Sequence, residues 1–340
     1  MATIASGVPT LNDVIAELAP DGKELEIAEI LRQKTEMLED MTWMEGNLLT
    51  GHRGAARTYL PEPSYRAINE GVPVTKGAST QIEESCAMLE DFSQADRELA
   101  LLSGNVAGFR LRQAKPHIEG FANKLSRDLF YGNTVGNPKG FTGLAPRFNS
   151  LNSAVSQTAN NVIDAGGSGT GLRSIWLIGW SHDTVTGIYP KNTTGGLQHE
   201  DATSPAAGSD AMTLTDANGN LYMGYRDHWV QRVGLYMPDW RYAVRIANID
   251  LDTITSDPAT TSALLSDLMV QALELIESTE NVRLAFYAPR VIRAFLRRQL
   301  LNQKGTFLSW DEMAGKRVLN FGEAPIRRVD ALNIDESEVV

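Results

Sequence analysis

The sequence predicts an α+β fold, with helices and strands mixed along 340 residues. Three observations lead to this prediction. Residues 105–131 keep one helical period over their whole length. Ser174–Trp180 form a short apolar run between polar residues and glycine, which is typical of a fully buried strand. Asn218 and Gly219 lie beside stretches rich in aromatic residues, which favours a β-hairpin.

Composition narrows the class of protein. The chain is 42% hydrophobic and long enough for two or three subdomains at about 150 residues each. No apolar run reaches the about 20 residues that cross a membrane, and the first residues lack the pattern of a signal peptide. The single cysteine, Cys86, fits a reducing compartment. The net charge of −11 argues against a protein whose main task is to neutralise phosphates, but it allows a container for nucleic acid.

Residues 10–41 are predicted to form two amphipathic helices. The first begins with a capping-box pattern at Thr10 and ends before Pro20–Gly22. The second runs from about Lys23 to Met41. Two interpretations remain: a helical pair packed on its own core, or an N-terminal arm that lies across a neighbouring subunit.

Two extended segments, at about 52–67 and 79–92, are predicted around a turn at Asn69–Pro73 that is rich in glycine and proline. The first segment is basic and aromatic, and the second is acidic. The residues that carry this contrast are Arg53, Arg57, Tyr59, Tyr65, Arg66, Glu83, Glu84 and Glu90. Opposite charges across a ribbon stabilise it by about 0.2–1 kcal/mol per pair, and an isolated ribbon is marginal in water. We therefore expect these side chains to pair between the two arms or between subunits. A solvated edge hairpin within one domain is the alternative.

A long helix is predicted from Asn105 to Tyr131. Its apolar stripe comprises Phe109, Ile118, Phe121, Ala122, Leu125 and Leu129. Gly132 and Pro138 follow in the usual order of a helix stop, and an apolar loop comes next at Gly140–Leu144.

The rest of the chain alternates between strands, loops and helices. An exposed loop is predicted for 191–208 and a strand for 242–250. A helix follows at about Pro258–Glu277, then a strand at Arg283–Ala288 and a helix opened by Pro289. Two strand-like segments close the chain, at 317–319 and 324–332.

Three segments carry a resemblance to a known family. They read FYGNTVGNPKGFTGLAPRF at 130–148, DWRYAVRIANID at 239–250 and FGEAPIRRVDAL at 321–332. In this order, and after the ribbon pattern, they resemble the major capsid proteins of tailed bacteriophages, in particular the short-tailed ones. The resemblance implies the coat-protein fold shared by tailed phages and herpesviruses, with an N-terminal arm, an extended-loop hairpin, a long spine helix, and peripheral and axial domains.

The resemblance also implies how the chain is divided. The expected segments are the N-terminal helical arm at 1–45, the extended-loop hairpin at 46–100, the spine helix with the start of the peripheral domain at 101–150, mixed strands and loops of the peripheral and axial domains at 151–257, and axial helices with the closing strand at 258–340.

Such a protein assembles with copies of itself, as hexamers and pentamers, into the icosahedral shell around double-stranded DNA. The implied partners are a scaffolding protein, a portal protein and a decoration or cement protein. DNA is enclosed without sequence-specific binding, no membrane is involved, and the protein is assembled in the host cytoplasm and ends in the virion. Because the predicted arm begins near Met1, we expect a separate scaffolding protein instead of a cleaved N-terminal extension.

The sequence predicts no catalytic residue, cofactor site or metal site. Its five histidines have no partners at metal-ligand spacing, and the glycine cluster at 166–171 precedes a strand instead of following one. An enzyme is therefore not expected. Two alternatives remain: an encapsulin-like nanocompartment shell protein of the same fold, and a cytosolic enzyme with an unrecognised site.

Overall fold

A computed structural model gives the fold of residues 8–9, 36–203, 210–216, 218–251, 258–302, 308–313 and 316–340. The described residues form two compact units. The smaller unit comprises 88–125 and 194–232, and the larger unit comprises 36–87, 126–193 and 233–340. Most of the predicted N-terminal helical pair lies outside the described residues. The division of the chain into five segments stays a prediction.

The helices of the described residues are α1 (Met37–Asp40), α2 (Arg97–Leu102), α3 (Val106–Tyr131), α4 (Pro258–Glu274) and α5 (Arg290–Asn302). The strands are β1 (Trp43–Glu45), β2 (Gly51–Tyr59), β3 (Ala78–Ser85), β4 (Ala87–Asp96), β5 (Val162–Asp164), β6 (Leu172–Trp180), β7 (Thr186–Tyr189), β8 (Leu197–Asp201), β9 (Met212–Thr215), β10 (Leu221–Tyr236), β11 (Ala243–Asp250), β12 (Arg283–Ala288), β13 (Leu308–Met313), β14 (Lys316–Phe321) and β15 (Ala324–Arg328).

The larger unit is built on a seven-stranded sheet in the order β13-β14-β15-β12-β6-β11-β5. Strand β6 lies inside this sheet, antiparallel to β11 and β12, and all nine of its residues are buried. Side chains of α4 and α5, among them Met269 and Phe295, share one hydrophobic core with the sheet. Because β6 is buried on both faces, its sequence shows a continuous apolar run instead of alternation. The predicted buried strand is confirmed.

Two smaller pairings complete the larger unit. Strands β1 and β7 are parallel, and the last residues of β10 pair with β7 in the antiparallel direction. Strands β2 and β3 form a separate two-stranded sheet, which we call the ribbon.

The smaller unit holds the first part of α3 and the first part of β10. Strand β10 pairs with β4, and with β8 and β9 in the antiparallel direction. Phe109 of α3 packs with Tyr225, and Phe121 packs with Trp229. The helical period predicted for α3 therefore buries aromatic side chains against aromatic residues of β10.

Several predicted elements are found and others are corrected. Helix α3 begins one residue later than predicted and ends at the predicted residue, and β12 has the predicted bounds. The helix predicted to reach Glu277 ends at Glu274. Ile118 was expected in the buried stripe of α3, and this was wrong because its side chain is 40% exposed. Its angular position matches the stripe, but the strands that cover Phe121 leave Ile118 open.

Of the two predicted loops, one contains a strand and the other forms the expected hairpin. The exposed loop predicted for 191–208 contains β8, whose pairing with β10 supplies order that the polar sequence did not indicate. The hairpin at Asn218 and Gly219 is present, between β9 and β10. Among the described residues of this turn, only Gly219 has a positive φ (85°). The Asp216 carboxylate accepts hydrogen bonds from the backbone N–H groups of Asn218 and Asn220. No helix of the described residues is long and apolar enough to cross a membrane.

Candidate subunit interface

The ribbon contains most of the residues that the sequence singled out. Its pairing runs from Gly51 opposite Ser85 to Tyr59 opposite Ala78, with a register shift after Arg57. Beyond the paired strands, residues 60–77 form an irregular tip. Every residue from 57 to 81 is exposed. The ribbon is thus a hairpin whose outer half has little support from the described residues of its own subunit.

The base of the ribbon is held by close backbone packing. The Asn47 side chain brackets Arg53, because its amide donates to the Arg53 carbonyl at 2.7 Å and its oxygen accepts the Arg53 N–H at 2.8 Å. A Cβ on Gly54 would lie 1.8 Å from the hydroxyl oxygen of Tyr236. The ring of His52 packs edge-on against Tyr236, with 4.4 Å between ring centroids. The base can therefore adopt this packing only with glycine at 54.

Burial shifts the titration of the groups around the base. It lowers the pKa of His52 and raises the pKa of the Cys86 thiol to about 12. It also raises the pKa of Tyr236, and the charges of Glu84 and Asp183 raise it further. At neutral pH these side chains are therefore uncharged, and they pack without adding charge to the base.

Glu84 is the one charged side chain that ties β3 to the rest of the larger unit through a two-pronged contact. The guanidinium of Arg147 pairs with both carboxylate oxygens, and its Nη2 lies 2.8 Å from Oε2. The same guanidinium donates to the backbone carbonyls of Thr142 and Gly143. Both charged side chains are 15% exposed, so the pair lies in partly dehydrated surroundings where it is worth more than a surface pair.

The loop at Gly140–Leu144 positions Arg147 because it caps the end of α3. The N–H groups of Gly143, Leu144 and Ala145 bond the carbonyls of Gly132, Leu129 and Phe130. These carbonyls have no partner within the helix, so the loop satisfies groups that would otherwise be buried without hydrogen bonds. A Cβ on Gly143 would lie 2.6 Å from the Asp128 carbonyl oxygen, so the contact requires glycine.

The reason predicted for the helix stop was therefore incomplete. Gly132 does not have the positive φ of a left-handed C-terminal cap. It is required because a Cβ there would lie 2.4 Å from the Asp128 carbonyl oxygen and 2.6 Å from that of Phe141.

The structure brings together only part of the predicted charge pattern. Arg53 and Glu83 pair across the two strands, with 2.6 Å between Nη2 and Oε2. Both side chains are about half exposed, so the pair contributes roughly 0.2–1 kcal/mol. Glu84 contacts Arg147 instead of an arginine of the opposite arm.

Four other predicted residues occupy the outer ribbon. Arg57 and Tyr59 lie at the end of β2, whereas Tyr65 and Arg66 lie in the irregular tip and not in a strand. Among the residues that the structure describes, Arg57 and Arg66 form no ion pair.

Glu90 does not belong to the ribbon. The second predicted segment, 79–92, was wrong as a single strand, because β3 ends at Ser85 and β4 begins at Ala87. Cys86 interrupts the strand, and β4 pairs with β10 in the smaller unit. There the Glu90 carboxylate lies 3.9 Å from Nε2 of His228.

Sequence reasoning singled out Tyr65 but missed the aliphatic side chains of the tip. The most exposed large apolar residues there are Leu60 (67%), Tyr65 (107%), Ile68 (91%) and Val74 (100%). Their only signal in the sequence is that apolar residues recur among prolines and glycines without strand alternation. These four large apolar side chains, exposed within residues 60–77, make the tip a candidate surface for contact with another molecule.

Gly51→Ala tests how the base is built. It is expected to destabilise the subunit by about 1–3 kcal/mol, because its Cβ would lie 2.0 Å from the Glu84 carbonyl oxygen and the paired strand must move. Gly71→Ala is the matched control, since a Cβ there meets nothing within 4 Å. Urea unfolding of the unassembled subunit measures both, and equal stability of the two variants would contradict the packing described.

The described residues contain no group of three or more His, Cys, Asp or Glu side chains that could hold a metal ion. What the ribbon offers chemically is an exposed apolar tip with arginines beside it, carried on a firmly held base.

One family of known proteins matches the chain. Residues 19–340 match the family described as Major capsid protein GP7. A chain of the cryo-EM structure of bacteriophage Epsilon15 is 32% identical, with a TM-score of 0.74, and the match covers 100% of this chain and 99% of that one. The capsid protein of bacteriophage JBD30 is 8% identical, with a TM-score of 0.50, over 95% of this chain and 99% of that one, which shows a shared fold. The search of curated proteins found no match.

Proposed function

We propose that the ribbon and its tip hold one subunit to the next, because the chain belongs to the GP7 family of major capsid proteins. It is a structural subunit of the icosahedral shell of a tailed phage, not an enzyme. Family membership sets aside the nanocompartment and enzyme alternatives. The observation that carries the proposal is the unbroken exposure of residues 57–81. A two-stranded ribbon is marginal alone in water, so the neighbouring copy supplies the support that the described residues of the subunit do not.

Apolar burial provides the driving force for this contact. Burying an apolar side chain that was exposed contributes about 1.5–3 kcal/mol, before the cost of ordering the tip. Ile68 and Val74, which are almost fully exposed, are the strongest candidates. A contact that is weak in each pair becomes firm in a closed shell, because every subunit makes it at once.

Opposite charges on neighbouring subunits orient the ribbon contact. Arg57 and Arg66 make no ion pair among the described residues, whereas the chain as a whole carries a net charge of −11. We infer that they meet acidic side chains of a neighbouring copy, together with Tyr59 and Tyr65. Arg53, Glu83 and Glu84 serve the same contact indirectly, since they hold the base of the ribbon. Glu90 lies on β4, outside the ribbon.

The finer features of assembly are inferred from the family. Copies of the subunit form hexamers and pentamers, a scaffolding protein guides them, and a portal protein joins the shell. A decoration or cement protein is a further candidate partner. The shell encloses DNA without reading its sequence, and the mature location is the virion.

Charge reversal tests the ribbon contact. Arg57→Glu is expected to lower the yield of closed shells at least severalfold, because it places a carboxylate against acidic residues of the neighbour. The protein is expressed with its scaffolding protein, and shells are counted by electron microscopy and sedimentation. Thermal unfolding of the unassembled subunit should stay unchanged, because Arg57 is exposed and forms no described ion pair.

Lys191→Glu is the matched control, because Lys191 is also exposed and lies outside the ribbon. It should assemble like the wild type. A variant with Ile68→Ser and Val74→Ser tests the apolar part of the contact in the same assay. Normal shell yield and shell stability in both ribbon variants would sink the proposal.

A further inference from the structure

Helix α5 concentrates positive charge in a chain that is otherwise acidic. Residues 290–302 contain four arginines and no aspartate or glutamate. Arg290, Arg293 and Arg297 follow one another at spacings of three and four residues, which places them along one side of the helix, with Arg298 beside them. We call these four residues the arginine face.

The helix is firmly held, so the arginine face has a defined geometry. Its opposite side packs into the core of the larger unit through Ile292, Phe295 and Leu296, which are 0–2% exposed. Arg290, Arg297 and Arg298 are exposed and Arg293 is half-buried. The backbone of this face is therefore already ordered before a ligand binds, and only the arginine side chains lose conformational entropy on binding.

Two nearby carboxylates, those of Asp40 and Asp330, are already paired with other arginines. The Asp40 carboxylate pairs with Arg327, and the Asp330 carboxylate pairs with Arg328. The Glu36 carboxylate accepts the backbone N–H of Arg328. Within the described part of the chain, Arg290 and Arg298 form no ion pair.

The arginines of this region also oppose one another. Burial lowers the pKa of Arg293, Glu36 counteracts this, and the charges of Arg297, Arg328 and Arg327 lower it further. The Arg293 guanidinium also bonds the backbone, because its Nε donates to the Ile326 carbonyl at 3.2 Å. Such a cluster is stabilised by an anion that lies across it.

We propose that the arginine face binds the phosphate backbone of double-stranded DNA inside the shell. Guanidinium groups match phosphate oxygens in geometry and stay charged at any pH of interest. From Arg290 to Arg297 the helix rises about 10 Å, and one strand of a duplex presents about three phosphates over that length. Contacts to phosphates carry no sequence information, so binding is independent of sequence.

The net charge of −11 shapes this binding. The rest of the subunit repels DNA, so the contact is weak for one copy and depends strongly on salt. It becomes effective through the many copies in a shell. None of this depends on the ribbon contact, because the arginine face and the ribbon share no residue.

The test uses the unassembled full-length subunit and a fluorescent 30-base-pair duplex. Fluorescence anisotropy gives the binding constant at several salt concentrations. Wild type is expected to show a slope of log K against log salt of about −2, from the contacts of Arg290 and Arg298. The double variant R290Q/R298Q should lower the magnitude of the slope by about 2 and weaken binding roughly 10- to 100-fold at 0.1 M salt. A second duplex of unrelated sequence should bind equally well.

The variant K139Q/K191Q removes the same charge from two exposed lysines outside the helix and should bind like the wild type. If the double variant does not fold, the single variants R290Q and R298Q replace it, each with a slope change of about 1. A wild-type slope in these variants, or no binding by the wild type at low salt, would overturn the proposal. Retained DNA binding with a loss of shells would also overturn it, because the face would then contact an acidic protein surface.

Discussion

Glu336→Ala is expected to destabilise the unassembled subunit by about 3–5 kcal/mol, because it leaves a buried arginine without its partner. The Glu336 carboxylate accepts a bond from Nη2 of Arg245 at 2.7 Å, and the two side chains are 6% and 5% exposed. The Glu336 carboxylate also accepts hydrogen bonds from the hydroxyl groups of Ser174 and Tyr131. One carboxylate near the C-terminus thus joins β6, β11 and the end of α3.

The partners of Arg245 explain why the loss is large. Its other groups donate to the Phe148 carbonyl and to Ser174, so the guanidinium is held in place and cannot reach water. It also lies 5.3 Å from the ring centre of Trp176. Burial raises the pKa of Tyr131, and the Glu336 charge raises it further, so the tyrosine remains a hydrogen-bond donor.

Urea unfolding of the subunit measures the effect, with Glu338→Ala as the matched control. Glu338 is an exposed carboxylate two residues away, and its loss should change stability by less than about 0.5 kcal/mol. Replacing both partners, in Arg245→Met with Glu336→Met, should be much less harmful than the single change, because no buried charge is left unpaired. A single variant as stable as the control would refute the assignment.

Asp40→Ala is expected to cost a similar amount, about 3–5 kcal/mol. The Asp40 side chain is fully buried and lies 2.9 Å from Nε of Arg327 and 2.6 Å from an amino group of Arg283. Tyr287 donates its hydroxyl to the same carboxylate at 3.2 Å. Removing the carboxylate leaves the guanidinium of Arg327, which is 13% exposed, without a counter-charge.

The control for Asp40 is its neighbour Glu39, which is exposed, and Glu39→Ala should leave stability nearly unchanged. Asp40→Asn keeps the side-chain shape and one hydrogen-bond acceptor but removes the charge. Its stability should therefore lie between those of Asp40→Ala and Glu39→Ala. Thermal unfolding of the unassembled subunits ranks the three variants. If Asp40→Ala is as stable as Glu39→Ala, the buried ion pair does not stabilise the packing of α1 on the sheet.

Neither network could be found from the sequence. Asp40 and Arg327, like Arg245 and Glu336, are far apart along the chain, and nothing in their local sequence distinguishes them from solvated surface charges. The same holds for Glu84, which was expected to pair with an arginine of the opposite arm or of another subunit, and which contacts Arg147 within its own subunit. Charge patterns predict neighbours along one element, but pairs between elements depend on how the chain folds back.

Sequence did determine those features whose cause is local. The helical period of 106–131 predicted α3, because burying one stripe of a helix requires apolar residues three and four positions apart. The apolar run at Ser174–Trp180 predicted the buried strand, and the charge contrast with a Gly/Pro turn predicted a ribbon near Gly51–Ser85. The order of these elements also predicted a capsid protein of a tailed phage.

Only the tertiary structure decided where those elements stop and what supports them. The break at Cys86 separates β3 from β4, because β4 gains a partner in β10 that the local sequence does not name. Helix α3 ends at Gly132 because the loop that follows packs on the last carbonyls of the helix, not because the Gly132 backbone turns left-handed. Local sequence patterns determine whether a segment forms a helix or a strand. Burial and hydrogen bonding between elements determine where each element ends, which ion pairs form, and which surface stays exposed for the next subunit.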